Sequence, residues 1–145
     1  MNRRELFKVT GITGLAAFYP SLAFSRSGSE KGSFRYCLNT GTIRGQGLGL
    51  LKNIETAAKA GYDGVELWAD DIKEYRDAGN SIPELRKYIN EYGLKVENAI
   101  GFAPCFVDDD EQRRTALEQM QKEMELMAEL GCTRIAAPPA GLKPN

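Results

Sequence analysis

The chain has 145 residues, of which 42% are hydrophobic, 27% charged and 9% aromatic, and its formal net charge is −1. This composition is typical of a globular protein and excludes a disordered or fibrous chain. The near-zero charge disfavours a strongly basic surface for nucleic acid. The sequence contains no histidine, which excludes Ser-His and Cys-His nucleophile pairs and imidazole metal ligands from this chain taken alone.

The N-terminal segment has the features of a signal peptide of the twin-arginine type. Arg3 and Arg4 precede an uncharged stretch, residues 9–24, which is short and glycine-rich for a membrane span and ends near a small-x-small cleavage site. We expect residues 1–23 to be this signal and residues 24–33 to form a linker. The protein is then exported, to the periplasm, without membrane attachment after cleavage. The alternative is a chance arginine pair before an amphipathic first helix.

The cysteines indicate neither a disulfide framework nor a zinc site. Cys37, Cys105 and Cys132 are odd in number and show no C-x-x-C spacing. The twin-arginine route exports proteins that have already folded in a reducing compartment, so unpaired thiols are compatible with it. We expect these thiols to be buried and inert, with one pair forming after export as the alternative.

The first repeated module consists of an opening strand, a helix, a glycine and a second strand. The strand is predicted over residues 34–40 and the helix over residues 48–60, with Gly61 ending the helix because a glycine adopts a left-handed conformation at little cost. A turn at Asp63 and Gly64 then leads into the second strand, residues 65–68. The apolar face of the helix is predicted to comprise Leu50, Leu51, Ile54, Ala57 and Ala58.

The second module begins after a short helical insert, residues 72–77, which we expect Asp70 and Asp71 to cap. Ser81 and Glu84 then form the pattern of a capping box, which predicts a helix start. Gly93 ends this helix, and a strand follows over residues 94–100. The apolar stripe of the helix is predicted to comprise Leu85, Tyr88, Ile89 and Tyr92.

The third module opens with the acidic residues 108–110, whose charge favours the positive end of a helix. Gly131 ends the helix, and a strand is predicted over residues 133–137. The apolar seam of the helix is predicted to comprise Leu117, Met120, Met124, Met127 and Leu130, packed against a neighbouring helix.

The order of these elements is β-α-β-α-β-α-β, which predicts an α/β fold with a parallel sheet and right-handed crossovers. Eight such units would make a (β/α)8 barrel of about 250 to 300 residues. We therefore interpret residues 34–145, with four strands and three main helices, as the N-terminal half of a TIM barrel. A small, complete, open α/β domain is the competing interpretation.

A family resemblance appears in the first module. The xylose isomerase-like TIM barrels have a hallmark pattern, in which a helix is followed by A-G-(aromatic)-D-G-V-E-L. This sequence resembles that pattern at Ala58-Lys59-Ala60-Gly61-Tyr62-Asp63-Gly64-Val65-Glu66-Leu67. Residues 93–98 and 130–135 add to the similarity, which covers residues 34–141. That superfamily contains the sugar phosphate isomerases/epimerases and the endonuclease IV type enzymes.

The resemblance implies a metal-assisted isomerase or epimerase acting on a sugar or sugar phosphate. A divalent metal (Mn, Mg, Zn or Co) holds the oxygens of a hydroxy-ketone or aldose while a carboxylate moves the proton. In the family, Glu, Asp, His and Glu on later strands hold the metal, and those positions would fall beyond Asn145. The resemblance therefore places no metal ligand or known catalytic residue in this chain, which alone is expected to be inactive.

Two residues of the second strand are candidates for substrate binding. Alternation along the strand places Glu66 and Trp68 on one face and Val65 and Leu67 on the other. If the apolar pair faces the helices, the carboxylate and the indole face the barrel interior. A buried carboxylate is costly without a partner, so Glu66 either acts on substrate or forms a structural ion pair, for example with an arginine. Trp68 either supports an apolar sugar face or packs.

Three uncharged polar residues are further candidates for substrate binding. Asn39 and Thr40 end the first strand and Asn98 lies in the third, and their side chains suit the hydroxyl groups of a polyol. Asn98 could equally cap a turn. The glycine-rich loop over residues 40–49 could receive an anion such as a sugar phosphate at the following helix; a flexible connector is the plainer interpretation.

The sequence is also compatible with two other functions. An endonuclease IV type repair enzyme shares the fold, although export and an acidic mature chain argue against binding of nucleic acid. The second is a truncated, non-catalytic half barrel. Its open strand edge would favour pairing with another copy, which makes a homo-oligomer an expected form.

Overall fold

A computed structural model describes residues 34–143, and the predicted signal peptide and linker lie outside them. Four strands form one sheet in the order β1-β2-β3-β4, and each pair of neighbours is parallel. The parallel α/β order predicted from the sequence is confirmed. The strands are β1 (Cys37–Asn39), β2 (Gly64–Trp68), β3 (Lys95–Ile100) and β4 (Ile135–Ala136), so β1 and β4 are shorter than predicted.

Helices connect the strands and cover one face of the sheet. They are a 3-10 helix (Thr40–Gln46), α1 (Leu50–Lys59), α2 (Ala69–Asp77), α3 (Ile82–Glu91) and α4 (Asp110–Leu130). Within the described part of the chain, none of the helices combines the length and the apolar character that crossing a membrane requires. The sequential strand order and single covered face are those of consecutive (β/α) barrel units, whereas a doubly wound sheet reverses its order and carries helices on both faces.

The core lies between the sheet and these helices. Val65 and Leu67 of β2 are completely buried at its centre, as are Ile54 of α1 and Leu85 of α3. Burying a side chain of this size contributes roughly 1.5–3 kcal/mol. The contiguous cluster extends from α1 to the start of β4, so all four helices and the sheet share one core.

The helix ends follow the local sequence signals. The Ser81 hydroxyl accepts a hydrogen bond from the Glu84 N–H at 3.3 Å, which caps α3 as predicted. The Asp109 carboxylate accepts the Gln112 N–H at 2.8 Å and caps α4. Gly131 ends α4 with φ of +88°, a conformation that side chains disfavour.

The predicted apolar faces of three helices are partly wrong. Tyr92, predicted in the stripe of α3, follows the end of that helix and is exposed. Leu51 of α1 is exposed, and Asn53 is buried on that helix. Along α4, Leu117 and Met124 are exposed, whereas Ala116, Glu123 and Leu126 are buried together with the correctly predicted Met127 and Leu130. The prediction chose the most hydrophobic residues, and methionine is more hydrophobic than alanine or glutamate. In the structure, the contacts of α4 with α2 and α3 determine which side of the helix is buried.

Two local predictions between strand and helix are also wrong. Helix α2 begins directly after Trp68, so Asp70 and Asp71 lie in its first turn and do not cap it; their charges still favour the positive helix end. The segment predicted as a flexible connector contains the 3-10 helix, which the Asn39 side chain caps by accepting the Gly41 N–H.

Candidate functional site

The sheet face opposite the helices, here called the inner face, carries the candidate residues of β2. Val65 and Leu67 are buried against the helices, while Glu66 and Trp68 are half-buried on the inner face. This is the alternation that the sequence predicted for the four residues. The helices therefore leave the carboxylate and the indole open to the other side of the sheet.

Glu66 is the centre of a row that crosses three strands. Asn39 of β1 pairs in register with Glu66, and Glu66 pairs with Asn98 of β3. Each asparagine donates from Nδ2 to a different oxygen of the Glu66 carboxylate. Among the described residues, the carboxylate is thus held by two neutral amides and not by the arginine considered from the sequence.

The orientation of Asn39 follows from its other contacts. Its Oδ1 accepts hydrogen bonds from the Gly41 N–H at 2.8 Å and from the Trp68 indole N–H at 3.1 Å. With two donors at its oxygen, the amide must turn Nδ2 towards Glu66. Asn39 therefore connects the carboxylate to the indole.

The indole of Trp68 is packed on several sides. The ring of Phe102 stacks on it with 5.2 Å between centroids, and the Arg44 guanidinium lies 4.0 Å from its ring centroid. A Cβ on Gly41 would lie 2.5 Å from the indole nitrogen, so only glycine fits at that position. The roles of Gly41, Arg44 and Phe102 could not be predicted from the sequence, because no periodic pattern connects residues of separate loops.

Thr40 occupies a different position from the other candidates. It is buried, with 1% of its surface exposed, and its hydroxyl donates to the backbone carbonyl of Glu66 at 3.2 Å. This hydrogen bond connects the start of the 3-10 helix to β2. The hydroxyl is therefore directed into the fold, away from the inner face.

A second carboxylate on the inner face, Glu97, is surrounded by cations. It pairs with Arg134 at 2.7 Å, Arg35 at 3.0 Å and Lys95 at 3.4 Å. An irregularity in the pairing of β2 with β3 inserts Glu97 as an extra residue before Asn98. Gly64 makes room for it, since a Cβ there would lie 2.8 Å from Glu97 Cγ. A bulge breaks the simple alternation, so the sequence pattern did not identify this cluster.

Cys37, the first residue of β1, borders the same face. It is exposed, contrary to the expectation that the thiols are buried. Cys105 is half-buried, and Cys132 is buried as expected. Partial burial raises the pKa of the Cys37 thiol, and the charges of Glu66 and Glu97 raise it further, while Arg134 lowers it.

Residues of all four strands or their ends line an open cavity of about 460 Å³ on the inner face. Its wall combines amide groups, two carboxylates, a guanidinium and a thiol. The lining residues are Cys37, Asn39, Glu66, Glu97, Asn98 and Arg134.

Comparison with known proteins identifies the fold family. Residues 54–145, more than half of the chain, match the family described as xylose isomerase-like TIM barrel. The chain belongs to this family. The resemblance seen in the first module of the sequence is therefore confirmed, and the sequential order of the four parallel strands is consistent with part of such a barrel.

Solved structures share the fold of this member of the xylose isomerase-like family at low sequence identity, and 17 chains match. The probable 3-DHS dehydratase AsbF from Bacillus anthracis is 15% identical, with a TM-score of 0.62 over 72% of this chain and 38% of its own. D-psicose 3-epimerase is 19% identical, with a TM-score of 0.57 over 72% and 37%. The IOLI protein, solved with a bound zinc atom, is 22% identical, with a TM-score of 0.61 over 72% of this chain and 37% of its own.

The chain spans less than two fifths of the length of each of these three structures. No curated protein sequence matches it. At these identities the structural likeness establishes the fold alone.

The described residues do not themselves form a site for the divalent metal that the resemblance implies for the family. Residues 34–143 contain no cluster of three or more Asp, Glu, Cys or His side chains suited to a metal ion. The two inner-face carboxylates are already engaged, Glu66 by two amides and Glu97 by three cations. A metal bound by Glu66 would have to displace at least one amide donor.

Proposed function

We propose that the inner-face cavity forms part of the sugar-binding site of a sugar isomerase or epimerase. The observation that carries this proposal is the row Asn39–Glu66–Asn98, which lines up hydrogen-bonding groups on three adjacent strands of an open barrel face. Membership of the xylose isomerase-like family and the structural likeness to D-psicose 3-epimerase support it.

The row is suited to hydroxyl groups because the carboxylate is oriented before substrate arrives. Each Glu66 oxygen receives one amide N–H, and a carboxylate oxygen has lone pairs for more than one hydrogen bond. Glu66 would accept hydrogen bonds from sugar hydroxyls at no cost of reorganisation. Trp68 lies two residues after Glu66 on β2. Its ring, stacked with that of Phe102, would receive an apolar face of the sugar.

The role proposed for these residues is to bind and orient the sugar. The reaction of the whole protein would move a proton between adjacent carbons of a hydroxy-ketone or aldose, and the group that accepts the proton would come from other strands. In this proposal the divalent metal is likewise bound by residues of other strands, as the family resemblance implies.

Titration with a ketose tests this proposal. Trp68 is the only tryptophan of the chain, so its fluorescence reports on the inner face. We expect D-fructose to change the emission of Trp68 saturably, and glycerol, which lacks a ring, to change it far less. Asn98→Leu removes one amide from the row and should weaken the response to D-fructose roughly tenfold, the cost of a hydrogen bond to a charged group.

The matched control is Asn90→Leu, which changes an exposed asparagine on α3 and should bind D-fructose like the unchanged chain. An identical response of the unchanged chain to D-fructose and glycerol would refute sugar binding at this face. So would a response that Asn98→Leu leaves intact.

We also propose that residues 1–23 direct export by the twin-arginine route. The support is the Arg3-Arg4 pair ahead of an uncharged, glycine-containing stretch. Replacing both arginines by lysine keeps the charge but removes the arginine pair. We expect the variant to accumulate in the cytoplasm while the unchanged chain reaches the periplasm, as measured by cell fractionation; equal export of the two would contradict the proposal.

A further inference from the structure

Arg44 contacts the indole of the inner face from outside the inner-face cavity. Its guanidinium lies 4.0 Å from the Trp68 ring centroid, whereas the described residues that line the cavity do not include it. We propose that Arg44 is a positioning residue, which holds the Trp68 indole against Asn39. The orientation of that amide in turn determines how Glu66 is presented to a sugar. The effect on sugar binding rests on the proposed function, whereas the position of the indole is a property of the ligand-free protein.

The 3-10 helix explains why Arg44 reaches the indole. Such a helix has about three residues per turn, so residues three apart lie one above the other on the same side. Gly41 is one turn before Arg44, and a Cβ on it would lie 2.5 Å from the indole nitrogen. The glycine therefore allows the indole to pack against the helix backbone, and the arginine one turn later covers the ring.

Asp71, in the first turn of α2, fixes the guanidinium over the ring. Both oxygens of its carboxylate accept hydrogen bonds from Arg44 Nη2, at 3.1 and 3.3 Å. An ion pair of this exposure contributes little stability by itself. Its effect is to restrict the rotamers of the long arginine side chain. The restriction matters because the attraction between a cation and an aromatic face depends on where the cation lies.

The indole in turn contacts the row of hydrogen bonds on the inner face. The Trp68 and Gly41 N–H groups both donate to Asn39 Oδ1, at 3.1 and 2.8 Å. The terminal torsion of an asparagine is soft, and two donors at the oxygen favour the orientation in which Nδ2 points to Glu66. An indole that moved away would remove one of these donors. Glu66 would then be less firmly oriented towards substrate.

Hydrogen exchange of the indole N–H tests this positioning without a ligand. Trp68 is the only tryptophan, so the chain gives a single indole N–H signal in an NMR spectrum. Arg44→Gln removes the cation and keeps a polar side chain. We expect its indole N–H to exchange about fivefold faster, the effect of losing a contact between a cation and an aromatic ring. Arg44→Lys keeps a cation and should stay within about twofold of the unchanged chain.

The matched control is Arg114→Gln, which removes an exposed arginine of α4. Among the described residues, the ion pair of Arg114 is with Glu118 on the same helix. The indole N–H of this variant should exchange at the rate of the unchanged chain. Equal exchange rates in Arg44→Gln and Arg114→Gln would overturn the proposal, whether or not D-fructose binds to the inner face.

Calorimetric titration with D-fructose measures the consequence for the inner face. We expect Arg44→Gln to weaken binding about fivefold in the unchanged chain. In a Trp68→Phe background, which has no indole N–H to position, the same substitution should have no further effect. An equal loss in both backgrounds would mean that Arg44 contacts the sugar itself, and would overturn the positioning role.

The two measurements separate this inference from the proposed function. If the unchanged chain does not bind D-fructose, the proposed function fails. The exchange rates still decide whether Arg44 positions the indole, because they are measured on the ligand-free protein. If D-fructose binds and the exchange rate of Arg44→Gln is unchanged, the proposed function stands and the positioning role is refuted.

Discussion

At the scale of single residues, the inner face is organised by hydrogen bonds to one carboxylate. Glu66 accepts from Asn39 and Asn98, and Asn39 in turn accepts from the Trp68 indole. The alternation in β2 predicted which way Glu66 and Trp68 point, because side chains of a strand alternate whatever lies around it. The partners of Glu66 could not be predicted in the same way, since register between separate strands depends on the assembled sheet.

Glu66→Gln should destabilise the protein by about 1–3 kcal/mol. The variant replaces one carboxylate oxygen by an N–H donor, which then faces the N–H donor of an asparagine. Urea unfolding measures the free energy. Glu74→Gln, which changes an exposed glutamate of α2, is the control and should remain within about 0.5 kcal/mol of the unchanged chain. Equal stability of both variants would contradict the hydrogen bonds to Glu66.

Cys37 should react slowly with iodoacetamide at neutral pH despite its exposure. The thiolate is the reacting form, and a raised pKa lowers its fraction at any pH below that pKa. The alkylation rate should therefore rise at higher pH than for free cysteine. Mass spectrometry of a Cys105→Ser variant, in which the remaining Cys132 is buried, follows Cys37 alone. A rate profile at or below that of free cysteine would contradict the proposed surroundings.

At the scale of helices and strands, the signals that succeeded are those contained in a few adjacent residues. The caps at Ser81 and Asp109 involve partners three residues away, and Gly131 ends α4 through its own backbone conformation. The inward side of α4 was predicted less well, because it depends on α2 and α3. The bulge that turns Glu97 to the inner face likewise arises from the pairing of two strands.

Asp109→Ala should lower the free energy of unfolding by about 1 kcal/mol, because it removes the cap of the longest described helix. The neighbouring Asp108→Ala is the matched control. Among the described residues, the ion pair of Asp108 is with the exposed Lys143, and a surface ion pair of this kind contributes little. Chemical denaturation should therefore separate the two variants; if their midpoints shift equally, Asp109 does not act as a cap.

At the scale of the whole molecule, one core joins all the described elements. Leu67 lies at its centre and is completely buried, whereas Leu117, predicted from the sequence to be in the seam, is exposed. The same substitution at these two leucines therefore distinguishes a core position from a surface position within one protein.

Leu67→Ala should cost about 3 kcal/mol of stability, the usual range for a buried leucine being roughly 2–5 kcal/mol. Leu117→Ala should cost less than about 0.5 kcal/mol. Unfolding followed by Trp68 fluorescence and by far-UV circular dichroism should give coincident transitions, because sheet and helices share the core. A comparable loss in both variants would mean that α4 is rotated towards the seam predicted from the sequence.

The sequence by itself determined the alternation of strands and helices, the parallel class of the sheet, most helix ends and the family. These features rest on periodicity and on short motifs, which act between residues close along the chain. The tertiary structure decided which asparagines hold Glu66 and that the Thr40 hydroxyl donates to the Glu66 carbonyl. It also decided that Asn53 of α1 lies buried with no donor to its Oδ1 among the described residues. Those features depend on strand register and helix rotation, which arise only when distant segments pack together.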